Sequence, residues 1–261
     1  MFQVFRFIHP LLPLIQVDGR VLLLDTGATH SLGPPLDLTS PIGRLLTAAP
    51  AWGSFALLMA AANAAWPAVE HAVRALGHDG PLDGLVGVDR LKDLDLLVDR
   101  PRGLVALRPA TADGGAAGQR LASHLAQGLP VVHLRFGARD LRAVLDTGAT
   151  LGYFTGNIMG VTYGPEAEDF HPLTGRFTAP TFQGPMTVAL ADGGQLDLGH
   201  RSMGQLTGIL ADSLALAGLD AAVGEALFST SAVLLTNRLS SVHLISPQIA
   251  AALAPRGEPA S

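Results

Sequence analysis

The sequence predicts a mostly-β protein of two similar lobes in one chain, with a cleft between them. Three observations carry this. The pentapeptide Asp-Thr-Gly-Ala-Thr occurs twice, at residues 25–29 and 146–150. Each copy ends an apolar run that follows a turn, and the elements after it come in the same order in both halves. With 30 glycines and 18 prolines in 261 residues, the composition favours many turns over long helices.

The first half begins with Leu12 to Leu24, two apolar runs around Asp18-Gly19, a hairpin-turn pair. Residues 49–59 read as a second hairpin with Trp52 near its tip. Residues 83–107 then give Leu85-Val86-Gly87, a short helical stretch, a strand, a turn and another strand. The charges here, from Asp89 to Arg102, read as a solvated helix and strand face. Residues 108–119 are rich in Gly, Ala and Pro and read as a linker, and residues 120–128 as a short helix.

The second half repeats the order. Leu129 to Leu145 is again a hairpin around a Gly-containing turn. Residues 179–190 repeat the Ala-Pro-x-aromatic pattern of 49–59, which places Phe182 near a hairpin tip. Residues 220–245 repeat 83–107, with Ala222-Val223-Gly224 in the place of Leu85-Val86-Gly87. The second half is longer, and the extra residues fall around 192–208, read as a surface insertion. The expected organisation is a lobe over 1–108, a linker over 109–128, a lobe over 129–246 and a frayed tail over 247–261. The terminal strands, near residues 2–8 and 241–245, are expected to pair at the lobe junction.

Composition excludes several classes. A net charge of −5 argues against nucleic acid, whose phosphates need a basic face. The absence of cysteine excludes disulfides, thiolate catalysis and cysteine metal sites, and suits a reducing cytoplasm. Residues 1–19 lack the basic start and unbroken apolar stretch of a signal peptide, so the expected location is cytoplasmic. Leu45 to Val69 carries no charge, but Pro50, Gly53, Asn63 and Pro67 interrupt it. It reads as strands and a loop on a core, and no membrane partner is expected. The nine histidines show no HExxH pattern and the chain has no GxSxG, so neither a metal nor a serine nucleophile is expected.

An aspartate at the end of a buried strand is costly unless something uses it. Two lobes related by a pseudo-twofold would bring Asp25 and Asp146 face to face. Like charges about 3 Å apart cannot both ionise, so such a pair holds one proton between them and titrates as a unit.

On these motifs, the doubled DTGA with Leu85-Val86-Gly87 and Ala222-Val223-Gly224, the chain resembles the aspartic peptidases of the retropepsin-like (clan AA) branch. It looks like two retropepsin-like β-barrel lobes fused in one chain, in the bilobal arrangement of pepsin-like enzymes. The resemblance implies roles. Asp25 and Asp146 would hold a water molecule, one carboxylate as general base and the other carboxyl as proton donor to the scissile carbonyl. Thr26 and Thr147 would bond across the lobe junction. Gly27, Ala28, Gly148 and Ala149 would support the dyad. Trp52-Gly53 and Phe182-Gln183-Gly184 would be flaps over an extended, largely apolar peptide or protein substrate. No cofactor is implied, and one chain suffices for one site, with a swapped or higher oligomer left open. The flap tyrosine of pepsin has no counterpart, since the two tyrosines, Tyr153 and Tyr163, both follow the second DTGAT.

Two other classes stand beside this one. A catalytically inactive peptide-binding or regulatory protein of the same fold needs only the groove. The loose pattern Asp-x-Gly-x-Thr also occurs in actin-like nucleotide-binding proteins, but that fold alternates helices with strands, and here strand follows strand.

Overall fold

The computed structural model describes residues 1–47, 66–111, 118–171 and 175–254. The chain enters on β1 (Gln3–Arg6), then folds the hairpin β2 (Leu14–Val17) and β3 (Arg20–Leu24). Its turn uses Asp18 and Gly19, both at positive φ, as a two-residue hairpin requires. After helix α1 (Pro41–Thr47) and helical residues 66–75 (α2), β4 (Gly84–Val86) comes back parallel to β3, with Leu24 beside Val86. Residues buried on both faces make this pair possible: Leu22, Leu24, Leu85 and Val86 are all in the core. Helix α3 (Val88–Leu91), β5 (Leu94–Asp99), a 3-10 turn (Arg100–Arg102) and β6 (Leu104–Pro109) follow, the helix–strand–turn–strand order read from the sequence.

The second half contains a closed barrel. Hairpin β9 (Leu129–Phe136) and β10 (Arg139–Leu145) leads into the second DTGAT. Beyond it come β11 (Gly152–Thr155), β12 (Thr162–Tyr163), the hairpin β13 (Ala167–His171) and β14 (Gly175–Ala179), then β15 (Thr181–Ala189) and β16 (Gln195–Leu206). Helix α4 (Gly208–Leu216) leads to β17 (Ala221–Val223), which lies parallel to β10 with Leu145 beside Val223. Six strands, in the order β15, β16, β11, β17, β10 and β9, close on themselves through the β15–β9 pairing. Phe136 and Phe154 meet inside, ring centres 5.8 Å apart, and both are fully buried. Burying one such side chain stabilises by roughly 1.5–3 kcal/mol.

The halves join in one six-stranded sheet, in the order β1, β6, β5, β18 (Ala232–Thr236), β19 (Ser241–Ile245) and β7 (Gln119–Arg120). Its centre is the antiparallel pair β5–β18, with Leu97 opposite Leu234. The terminal strands β1 and β19 therefore share a sheet without pairing: β1 lies on β6, and β19 lies between β18 and β7.

Several expectations change. Residues 120–128 are not helical. They hold β8 (Ser123–Ala126), because Gln127 and Gly128, both at positive φ, turn the chain back so that Ala126 pairs with Leu129. The expected insertion at 192–208 is instead barrel strand β16, paired along its length with β15. The tail is ordered through a C-terminal helix (Pro247–Leu253), capped by the Ser246 hydroxyl and anchored by buried Ala250. Of the uncharged stretch Leu45–Val69, the described ends are helical rather than extended. No helix among the described residues is long and apolar enough to cross a membrane.

Candidate active site

Both DTGAT loops begin where a parallel strand pair ends. The Asp25 amide donates to the Val86 carbonyl at 2.9 Å, and the Asp146 amide to the Val223 carbonyl at 3.0 Å. The strands therefore set each aspartate at the same place in its loop. Within each loop the carboxylate is held by its own backbone. Asp25 Oδ1 accepts from the Gly27 and Ala28 amides at 2.8 and 3.0 Å. Asp146 Oδ1 accepts from the Gly148 and Ala149 amides at 2.8 and 3.1 Å. One oxygen of each carboxyl is thus committed to its loop, which leaves the other for what lies opposite.

What lies opposite is the other loop with its own carboxyl, close enough that Asp25 and Asp146 each bear on the other's ionisation. The glycines make this approach possible. A methyl group on Gly27 would sit 2.8 Å from Asp146 Oδ1, and one on Gly148 would sit 3.0 Å from Asp25 Cγ. Each glycine is the surface against which the facing aspartate rests.

Enclosure by protein pushes the Asp25 carboxyl above the usual range, opposed by the facing Asp146 and by its hydrogen bonds to Gly27 and Ala28. Enclosure pushes Asp146 well above it, and the charge of Asp25 adds to the effect. Two facing carboxyls enclosed by protein keep a proton that a lone aspartate would lose. Both residues retain some accessible surface.

The threonines tie the loops together. The Thr26 amide donates to Thr147 Oγ1 and the Thr147 amide to Thr26 Oγ1, each at 3.0 Å. Each hydroxyl donates onward to the strand end of the other loop, Thr26 to the Leu145 carbonyl at 2.6 Å and Thr147 to the Leu24 carbonyl at 2.8 Å. Thr26 and Thr147 are buried. Four polar groups are satisfied only while both loops keep this register.

The apolar-apolar-Gly motifs lie under the loops. A Cβ on Gly87 would come within 2.7 Å of the Ala28 carbonyl oxygen, and one on Gly224 within 2.9 Å of Ala149 Cβ. In the first loop, Asp89 Oδ1 accepts from the Ser31 amide and hydroxyl at 2.8 Å each, and Ser31 Oγ accepts from the Gly87 amide at 3.0 Å.

Arg100 reaches the second loop from the other half of the chain. Asp99 caps the 3-10 turn by accepting from the Arg102 amide, which sets the neighbouring Arg100 guanidinium inward. It donates to the Thr147 carbonyl at 3.0 Å and to the Leu11 carbonyl at 2.6 Å, with its carbon 5.3 Å from the centre of the Phe7 ring. The charge run was expected to be a solvated face. Instead Asp95 and Asp99 are buried, and Arg100 supports the site. No spacing in the sequence marks Arg100, because its partners are backbone carbonyls.

The expected flap residues are placed differently. Trp52 and Gly53 lie outside the described residues. Phe182, Gln183 and Gly184 are not at a hairpin tip. They sit within β15, opposite Met203, Ser202 and Arg201, and the Phe182 ring packs on Phe154 and Tyr163. The hairpin that touches the second DTGAT is β13–β14: Asp169 Oδ2 accepts from Thr150 Oγ1 at 2.9 Å and from the Tyr153 hydroxyl. Among the described residues no group of three or more His, Asp or Glu side chains is placed to hold a metal ion. No protein-family model matches the chain, and no curated protein matches it.

Proposed function

We propose that the chain is an aspartic peptidase of retropepsin-like type, with two similar lobes each contributing one aspartate, that cleaves extended, largely apolar peptides or proteins. The observation that carries the reading is the reciprocal bonding of Thr26 and Thr147, which sets two equivalent aspartate loops against each other. The shared strand pairing behind both loops supports the two-lobe reading.

The chemistry follows from one proton held between two carboxyls. The ionised carboxylate takes a proton from a water molecule as its oxygen attacks the peptide carbon. The protonated carboxyl gives its proton to the carbonyl oxygen. The tetrahedral intermediate then collapses: one of its hydroxyls returns a proton to the second carboxylate, the C–N bond breaks, and the leaving nitrogen takes the proton that the first carboxyl drew from the water, so the pair again holds one proton. No covalent enzyme adduct forms, and one chain supplies both aspartates.

The test compares wild type, Asp25→Asn and Asp146→Asn on a peptide library between pH 3 and 7. Cleavage by wild type and its loss in both variants is expected. Equal cleavage by all three would overturn the dyad. Peptide binding without cleavage by wild type would favour a binding protein on the same fold.

A further inference from the structure

We propose that Asp169 is a positioning residue that latches the β13–β14 hairpin to the second aspartate loop through Thr150 and Tyr153, and so sets how firmly the site holds its substrate. The substrate part rests on the peptidase reading. The latch itself does not.

The geometry is specific. Thr150 closes the second DTGAT and Tyr153 is the second residue of β11, the strand that follows it, while Asp169 lies on β13. A single carboxylate oxygen, Asp169 Oδ2, accepts from both hydroxyls. Bonds to an ionised acceptor are about twice as strong as neutral ones, so this is a firm tie between hairpin and loop. The Tyr153 ring is fixed independently. It packs 5.8 Å from the Phe177 ring on β14, and against Gly204, where a Cβ would lie 2.7 Å from its Cε1. Only a glycine there leaves room for the ring that delivers the hydroxyl.

The hydroxyl also stands near the chemistry. Burial, then the Asp169 carboxylate, then the charge of Asp146 all make Tyr153 harder to ionise. The first half has no such residue at the corresponding place. Leu32 bridges Leu85 there, as Tyr153 pairs with Ala222, and leucine carries no donor. Among the described residues the hydroxyl donor at this position therefore belongs to one side of the site, and makes the two sides unequal there.

The test uses the full chain with Tyr153→Phe and Asp169→Asn. Hydrogen exchange of residues 167–179 is followed beside that of β9, and the tyrosines are titrated by absorbance at alkaline pH. With only two tyrosines and Tyr163 82 % exposed, the second transition belongs to Tyr153. Exchange in 167–179 is expected to rise about tenfold in both variants with β9 unchanged, the fold-change for one hydrogen bond to a charged group. Tyr153 should ionise at higher pH than an exposed tyrosine in wild type, and at least about one pH unit earlier in Asp169→Asn. On a cleaved peptide, KM should rise several-fold with kcat nearly unchanged. Exchange and titration identical to wild type would overturn the latch, whether or not any peptide is cleaved. A loss confined to kcat would overturn the positioning role.

Discussion

Thr26 and Thr147, 121 residues apart in sequence, each accept the other's backbone amide at 3.0 Å. Neither loop can hold its register without the other, so the two halves of the chain are coupled at the point where the carboxyls meet. Replacing either threonine with valine keeps the shape and removes the hydroxyl. Each variant should lose about 1–3 kcal/mol in urea unfolding, the cost of leaving buried amide and carbonyl groups unpaired. Serine at either position should restore most of it.

Gly27 and Gly148 face opposite carboxyls, but not equally closely. Gly27→Ala puts a methyl group onto the Asp146 carboxyl, while Gly148→Ala places one 3.0 Å from Asp25 Cγ. Both should destabilise, within the roughly 1–3 kcal/mol of overpacking, with Gly27→Ala the more damaging. Urea midpoints of the two variants decide the order.

Arg100 satisfies two carbonyls at once, those of Leu11 and Thr147. Arg100→Met should cost about 1.5–3 kcal/mol, typical of a bond from a charged donor. Arg100→Lys should not restore it, because one ammonium lacks the planar fork that reaches both carbonyls. Thermal unfolding of the three proteins is the check.

Much of this site was legible in the sequence, and the limit has a physical cause. The doubled DTGAT, the Asp18-Gly19 hairpin and the glycines at 87 and 224 could be read because their roles are local: a turn, a strand end, a close backbone approach. Arg100 and Asp169 could not, since each acts on atoms distant in sequence, 47 residues away for Arg100 and Thr147, and 16 for Asp169 and Tyr153. Residues 120–128 misled through helix-compatible composition, because the hairpin turn at Gln127-Gly128 and pairing with β9 override propensity. Phe182 misled because the resemblance between 49–59 and 179–190 is one of residue pattern. In the structure, 181–189 is a barrel strand.

His9 should weaken the fold in acid. Its Nδ1 accepts from the Leu11 and Leu12 amides, and its Nε2 meets the Leu76 carbonyl, an arrangement that needs a neutral ring. Burial lowers its pKa below the ordinary 6.5, the Leu76 bond opposes this, and the charges of His78 and Arg100 add to the lowering. A histidine with a depressed folded pKa contributes stability that is whole above pH 6.5 and is lost as pH falls toward the folded value. Wild type should therefore lose stability below that pH relative to His9→Asn, measured by urea unfolding across pH 4 to 8. A parallel pair of curves would contradict it.

The dyad has the opposite sign. A carboxyl whose folded pKa is raised favours folding most below its unfolded value near 3.8, and that contribution is lost as pH rises through the folded value. Asp146→Asn cannot ionise, so its stability relative to wild type should grow from pH 3.8 toward neutrality. Urea midpoints over that window read the difference directly.

The most direct measurement of the central claim is a carbon-13 NMR titration of the aspartate carboxyls in wild type and Asp25→Asn. The account predicts that one carboxyl of the Asp25–Asp146 pair keeps its proton well above 3.8, and that Asp25→Asn brings the Asp146 midpoint down by removing the facing charge. Two independent titrations near 3.8, unmoved by the substitution, would contradict a shared proton and with it the proposed reaction.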